Sequence, residues 1–171
     1  MIITMILALA TLSACATTPP PQSKWVSESN QEIGFAKMRL RAENNSLLTL
    51  SYGCNVDIEG CEFSIISSEK FCDDGQDYSI DMTARNREGA TSTELSLARC
   101  MKQETLIISP DSYQWIGQMI TNGDEMPYFS VTISAGSDAE VSAIFNLFGG
   151  NRAISGIVHE WMRIEQMHDG L

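Results

Sequence analysis

Apolar and polar residues alternate along most of the chain, and this period of two predicts β-strands with one buried and one solvated face. The clearest example is the segment 36–42, in which Ala36, Met38 and Leu40 alternate with Lys37 and Arg39. The alternation recurs in the segments 48–54, 61–66, 78–84, 95–101, 104–108 and 128–134. Many short strands separated by turn sequences predict a mainly β fold, either an antiparallel β-sandwich or a partly open barrel.

Two segments change to a helical period. Ser109-Pro110 provides a cap and a favoured first-turn proline before Tyr113–Ile120, whose apolar residues share one helical face. Asn151 is expected to cap a C-terminal helix that lies across the sandwich, with Trp161 as its anchor. The predicted fold is therefore mainly β with a C-terminal helix.

The segment 139–148 fits both periods. Val141, Ala143 and Phe145 fit a strand, whereas Val141, Ile144 and Phe148 fit one face of a helix. We assign a strand, because the glycine pair that follows then makes a sharp turn into the terminal helix.

The N-terminus has the pattern of a bacterial lipoprotein signal. A short apolar run ends in Leu12-Ser13-Ala14-Cys15, and it is too short for a transmembrane helix, which needs about 20 residues. We predict a signal peptide at 1–14, a lipidated Cys15 with a proline-rich tether over 15–23, and a single β-rich domain at 24–171.

This motif predicts the location of the protein. The expected site is the bacterial cell envelope, where the lipid anchor attaches the chain to a membrane. In the lipoproteins that the motif resembles, Asp after the lipidated cysteine often marks retention in the inner membrane. Ala16 stands there instead, which favours the periplasmic face of the outer membrane.

The other four cysteines are Cys54, Cys61, Cys72 and Cys100. Their spacings match no C-x-x-C metal or redox pattern, and an exported chain meets an oxidising environment, so we predict two disulfides. Three pairings are possible. Cys54 ends one alternating series and Cys61 begins the next, so both side chains can point inward across a hairpin. We therefore pair Cys54 with Cys61 and Cys72 with Cys100.

The net charge of −11 comes from 22 acidic and 11 basic residues. It argues against nucleic acid as a partner and against direct adhesion to anionic headgroups, because both favour basic patches. A basic protein partner remains open, and so does an acidic surface that serves only solubility.

The residue patterns predict no catalytic residue, no metal site and no cofactor. His159-Glu160 begins like a zinc protease motif, but Arg163 stands where the second histidine is required. The acidic turn Asp73–Asp77 lacks the spacing of a calcium loop and is predicted to be a solvated turn. The three tryptophans lie in different predicted elements, which favours core anchors over a stacking platform: Trp25, Trp115 and Trp161.

A resemblance supports the same view. Trp25-Val26-Ser27 at the start of the domain, a strand ending in Cys54, and Phe145-x-Leu147-x-Gly149 before Ala153-Ile154 resemble small exported β-sandwich proteins related to the invasion-associated B family and to accessory lipoproteins of type VI secretion. The chain departs from that pattern at Asn30–Gly34, where an acidic-proline turn is common. The resemblance implies an envelope module without catalysis.

The predicted function is thus a non-catalytic binding or secretion-accessory lipoprotein whose partner is another envelope or secretion protein or a wall component. One alternative is an inhibitor of a cationic wall-degrading enzyme such as lysozyme, which suits an acidic domain. Others are an enzyme that acts on peptidoglycan and a purely structural envelope component.

Overall fold

The computed structural model describes residues 23–58, 60–134 and 140–168. Within these ranges the chain forms nine strands, two short 3-10 turns at Val56–Ile58 and Pro110–Ser112, and two α-helices. The strands are β1 (Val26–Asn30), β2 (Phe35–Arg41), β3 (Leu48–Asn55), β4 (Gly60–Ser67), β5 (Asp77–Arg85), β6 (Thr91–Met101), β7 (Thr105–Ile108), β8 (Tyr128–Ser134) and β9 (Glu140–Asn146). The helices are α1 (Tyr113–Thr121) and α2 (Gly150–His168).

All nine strands belong to one antiparallel sheet in the order β1-β2-β3-β4-β7-β6-β5-β8-β9. This confirms the mainly β fold with a C-terminal helix. The sheet is open and is not a closed barrel, although the loop after β2 reaches β9 at the other end of the sheet. The Glu43 N–H donates to the Ile144 carbonyl at 2.7 Å, and the Ile144 N–H donates to Asn44 Oδ1 at 2.6 Å. The loop after β2 thereby satisfies backbone groups on the free edge of β9.

The core lies on the inner face of this curled sheet, where both helices pack. Met38 and Leu40 from β2 contribute to it, as do Ile116 from α1 and Ile157 and Ile164 from α2. The alternation in β2 is therefore as expected, with Lys37 and Arg39 on the outer face. Opposite faces of one strand separate core from solvent, which is the physical meaning of the period of two.

In strand β6 the large apolar residues point to the outer face and small residues point to the core. Its inward residues are small, Ser96, Ala98 and Cys100, whereas Leu95 and Leu97 point outward and are 72% and 61% exposed. The segment that leads into α1, and α1 itself, cover the inner face of β6, where Ser112 Oγ lies 3.3 Å from Glu94 Oε1 and Trp115 Nε1 donates to Ser92 Oγ at 3.0 Å.

The helices and the uncertain segment largely follow the sequence. The predicted strand within 139–148 is present as β9, and Trp161 is buried on α2. The expected cap at Asn151 is wrong, because α2 already begins at Gly150 and Asn151 lies inside it. The turn before the helix uses Gly149 at φ 77°, where a left-handed backbone favours glycine. None of the described helices is long and apolar enough to cross a bilayer.

Both predicted cysteine pairs are present. Cys54 and Cys61 face each other in the β3–β4 ladder and are bonded. Cys72 is bonded to Cys100, which joins the segment before β5 to the buried face of β6. The sulfur bridges thus link neighbouring parts of the sheet, in line with an oxidising compartment.

Two helix glycines should respond in opposite ways to alanine. A Cβ at Gly150 would lie 2.5 Å from the Ile120 carbonyl oxygen, so Gly150→Ala must separate α2 from α1 and lower the free energy of unfolding. Nothing lies within 4 Å of a Cβ at Gly117 in α1. Gly117→Ala should therefore raise the free energy of unfolding by about 0.5–1 kcal/mol.

Urea denaturation of both variants tests this pair. A stabilised Gly150→Ala variant would contradict the close approach of the two helices, and a destabilised Gly117→Ala variant would contradict the open space beside α1.

Candidate functional site: a groove on the outer face of the sheet

The outer face of the sheet carries a row of three residues that lie directly opposite one another on β2, β3 and β4. Lys37 is paired with Gly53, and Gly53 is paired with Glu62. Because Gly53 has no side chain, the row has a gap between a lysine and a glutamate. A glycine inside a strand commonly marks a place of close approach.

The gap opens into a groove of about 380 Å³, which we call the outer groove. This volume lies within the range of small-molecule sites, about 300–1,000 Å³. Its floor includes the nearly buried hydroxyls of Ser51 and Ser64, which are paired across β3 and β4. Apolar side chains form part of the walls: Phe35, Ile58 and Ile66.

Lys37 lines the β2 side of the outer groove, and Arg39 and Glu28 flank it at positions paired with Ser51 and Lys37. Lys37 Nζ lies 2.7 Å from Glu28 Oε1, and Arg39 Nη2 lies 3.0 Å from Glu28 Oε2. Lys37 Nζ also lies 5.0 Å from the centre of the Phe35 ring, a cation–π distance. Burial, with a smaller contribution from the Arg39 charge, lowers the pKa of Lys37. One formal positive charge remains on this side.

The β4 side of the groove carries Glu62. Among the described residues, no lysine, arginine or histidine nitrogen lies within 4 Å of its carboxylate. Burial raises the pKa of Glu62. The pKa of Tyr113 is also raised, and burial is the main cause. A hydrogen bond with the Phe63 backbone lowers this pKa by less, and the nearby Glu62 charge raises it further. The two sides of the groove therefore differ in charge.

The raised pKa of Glu62 predicts a pH dependence of stability. The unfolded state loses this proton near the ordinary value of 4.5, whereas the folded state keeps it to higher pH. Folding stability therefore falls as pH rises from that value through the folded pKa, and Glu62→Gln removes this loss. The Glu62→Gln variant should gain stability relative to the parent between about pH 4 and about pH 7.

Urea denaturation at the two pH values measures this gain in stability. Because the Glu62 carboxylate is partly exposed to solvent, the gain should be smaller than for a fully buried carboxylate. Glu88→Gln removes an exposed carboxylate from the β5–β6 turn and is the matched control. An unchanged difference between parent and Glu62→Gln at both pH values would contradict the burial of this group.

Of the site residues predicted from the sequence, Cys54 lies at the outer groove. Cys54 borders the outer groove, and its bond to Cys61 joins β3 to β4 beside the row of three. Cys72 and Cys100 lie elsewhere, and Cys15 falls outside the described residues. The lysine, glycine and glutamate of the row were missed. Gly53 inside an alternating strand was the available signal.

The acidic turn and His168 make contacts that hold loops in place, and His159 is exposed to solvent. The Asp74 carboxylate accepts the Lys102 N–H at 2.7 Å and thereby holds the β6–β7 turn, whose Lys102 and Gln103 have φ of 57° and 63°. His168 Nε2 lies 3.1 Å from the Gln31 carbonyl oxygen, and His159 is exposed on α2. Within the described ranges, no group of three or more His, Cys, Asp or Glu side chains could hold a metal ion.

The tryptophans pack against the core, as predicted. Trp161 is buried, while Trp25 and Trp115 are partly buried against the core cluster. Trp115 Nε1 donates to Ser92 Oγ at 3.0 Å, and Trp25 Nε1 donates to the Leu147 carbonyl at 3.4 Å. Each indole nitrogen thus has a partner while its ring remains available for packing.

Comparison with known proteins adds no assignment. No protein-family model, curated protein or solved structure matches the chain. The resemblance to exported β-sandwich lipoproteins stays a prediction, and a functional proposal depends on the outer groove and on the sequence.

Proposed function

We propose that the protein is a lipid-anchored component of the bacterial cell envelope that binds a partner without catalysing a reaction. The partner is an envelope or secretion protein or a component of the cell wall. The observation that carries the binding role is the outer groove, a concave site with unlike charges on its two sides on the face opposite the core. The lipobox, the proline-rich segment and the cysteine pairs support the location.

The contacts of Lys37 support a binding role. The ammonium is bonded to Glu28 and lies over Phe35, and these contacts hold it at the edge of the outer groove, where it can meet an anionic group of a partner. Among the described residues, neither histidine lines the outer groove.

Site-specific photocrosslinking in living cells tests the binding role. A benzoylphenylalanine at position 58 lies on the rim of the outer groove, and one at position 88 lies on the exposed β5–β6 turn as the control. We expect a defined adduct from position 58 alone. Equal adducts from both positions, or no adduct from either, would refute a binding role for the groove.

Metabolic labelling with radioactive palmitate tests the anchor. The protein should become labelled, and Cys15→Ser should abolish the label. An unlabelled parent protein would exclude lipidation at Cys15 and with it the proposed attachment to the membrane.

The acidic charge of −11 favours a second candidate, an inhibitor of a cationic wall-degrading enzyme. Such a complex depends on charge complementarity and weakens with added salt. A pull-down with lysozyme should then give a complex at low salt that dissociates at high salt. Absence of binding at low salt would remove this candidate for lysozyme.

A further inference from the structure

The outer groove has a charge pattern more specific than that of an acidic surface. Lys37 lines the β2 side, and together with the flanking Arg39 and Glu28 it leaves one formal positive charge there, whereas the β4 side holds the negative Glu62. A ligand with a single charge would face a like charge on one side. A ligand with both charges complements both sides.

The width of the gap fits a small group. Adjacent strands lie about 4.8 Å apart, so the backbones that carry Lys37 and Glu62 are separated by about 10 Å across Gly53. Both side chains leave the same face of the sheet, so a ligand that lies over Gly53 can make charge-assisted hydrogen bonds to both when its own two charges are close together. An ammonium and a carboxylate on one carbon atom meet this requirement.

The floor and the walls suit the same kind of ligand. The hydroxyls of Ser51 and Ser64 can each donate and accept, so they can bond an ammonium as well as a carboxylate. Phe35, Ile58 and Ile66 offer apolar contact to an aliphatic side arm.

We propose that the outer groove binds the zwitterionic head group of an amino acid, with its carboxylate toward Lys37 and Arg39 and its ammonium toward Glu62. This deepens the proposed binding role and rests on it. In the envelope such a head group occurs on free amino acids and on peptidoglycan peptides that end in a diamino acid with a free zwitterionic centre.

Calorimetric titration of the mature protein, purified from membranes in detergent, tests the ligand class with three probes. Nε-acetyl-lysine carries both charges, Nα,Nε-diacetyl-lysine lacks the ammonium, and Nε-acetyl-lysine amide lacks the carboxylate. We expect the zwitterion to bind at least about tenfold more tightly than either analogue, a difference of about 1.4 kcal/mol. Equal affinity for an analogue, or no binding of the zwitterion at millimolar concentration, would overturn the proposal.

Variants locate the site. Glu62→Gln and Lys37→Gln should each weaken binding of the zwitterion about tenfold. Gly53→Thr should block binding while it retains both charges, because a Cβ at Gly53 already meets Lys37 Cβ at 3.1 Å. Glu88→Gln should leave binding unchanged. Thermal melting confirms that each variant is folded, and unchanged affinity in a folded Glu62→Gln or Gly53→Thr variant would place the ligand elsewhere.

A peptidoglycan peptide and the same peptide with its free amine acetylated distinguish the two sources. Tighter binding of the unmodified peptide than of Nε-acetyl-lysine assigns the site to the wall, and the reverse assigns it to free amino acids.

The experiments distinguish failure of this ligand proposal from failure of the proposed binding function. An adduct from position 58 without binding of zwitterions overturns only the ligand class, whereas absence of both refutes the binding role as well.

Discussion

Replacing Phe129 by alanine should lower the free energy of unfolding by about 3–5 kcal/mol. The Phe129 side chain on β8 is 1% exposed, and its ring centre lies 6.1 Å from that of Trp115 and 6.2 Å from that of Phe145. It therefore connects α1 to β9 through the core. The loss combines the transfer of a large apolar side chain to water with the cavity that remains, because the surrounding sheet relaxes only partly.

Leu95→Ala is the matched control for this core variant. It also truncates an apolar side chain on a strand, but that side chain is 72% exposed, so the expected change is within about 0.5 kcal/mol. Urea denaturation under oxidising conditions measures both variants. A loss below about 1 kcal/mol for Phe129→Ala, or a large loss for Leu95→Ala, would contradict the assignment of inner and outer faces.

The second large effect concerns the disulfides, which should contribute unequally. Cys72 and Cys100 are separated by 28 positions and Cys54 and Cys61 by 7. The loop-closure model then gives about 3.6 kcal/mol for the longer loop and about 2.4 kcal/mol for the shorter one. We expect the double variant Cys72→Ala with Cys100→Ala to be destabilised more than Cys54→Ala with Cys61→Ala. Alanine avoids a buried hydroxyl at these sites.

The two double variants are compared with the parent by urea denaturation without reductant. Reduction of the parent should lower its stability below that of either double variant, because it removes both cross-links. If loss of the Cys54–Cys61 bond cost more than loss of the Cys72–Cys100 bond, local geometry rather than chain entropy would govern these bridges.

Much of the fold could be read from the chain because its cause is local. The alternation of Met38 and Leu40 with Lys37 and Arg39 reflects opposite faces of one strand. The cysteine pairing followed partly from the same rule, since Cys54 and Cys61 lie at facing positions of one hairpin. Strand β1 was missed because its residues, Val26–Asn30, are mostly exposed and give little alternation.

The candidate site could not be read in the same way. Lys37 and Glu62 belong to different strands, and their relation across Gly53 depends on the register of two ladders. A single residue of slip would turn either charge to the other face. The predicted site residues were therefore the cysteines, because their chemistry is visible in the sequence. The outer groove could not be predicted in this way.

Local patterning accounts for eight of the nine strands, the two helices and the Cys54–Cys61 pair, because hydrophobic periodicity and hairpin geometry act over a few residues. The placement of β7 between β4 and β6, the outward direction of Leu95 and Leu97, and the opposed charges beside Gly53 came from long-range packing. Which strands become neighbours depends on how the sheet curls around α1 and α2 to bury one continuous core, and no short stretch of sequence encodes that choice.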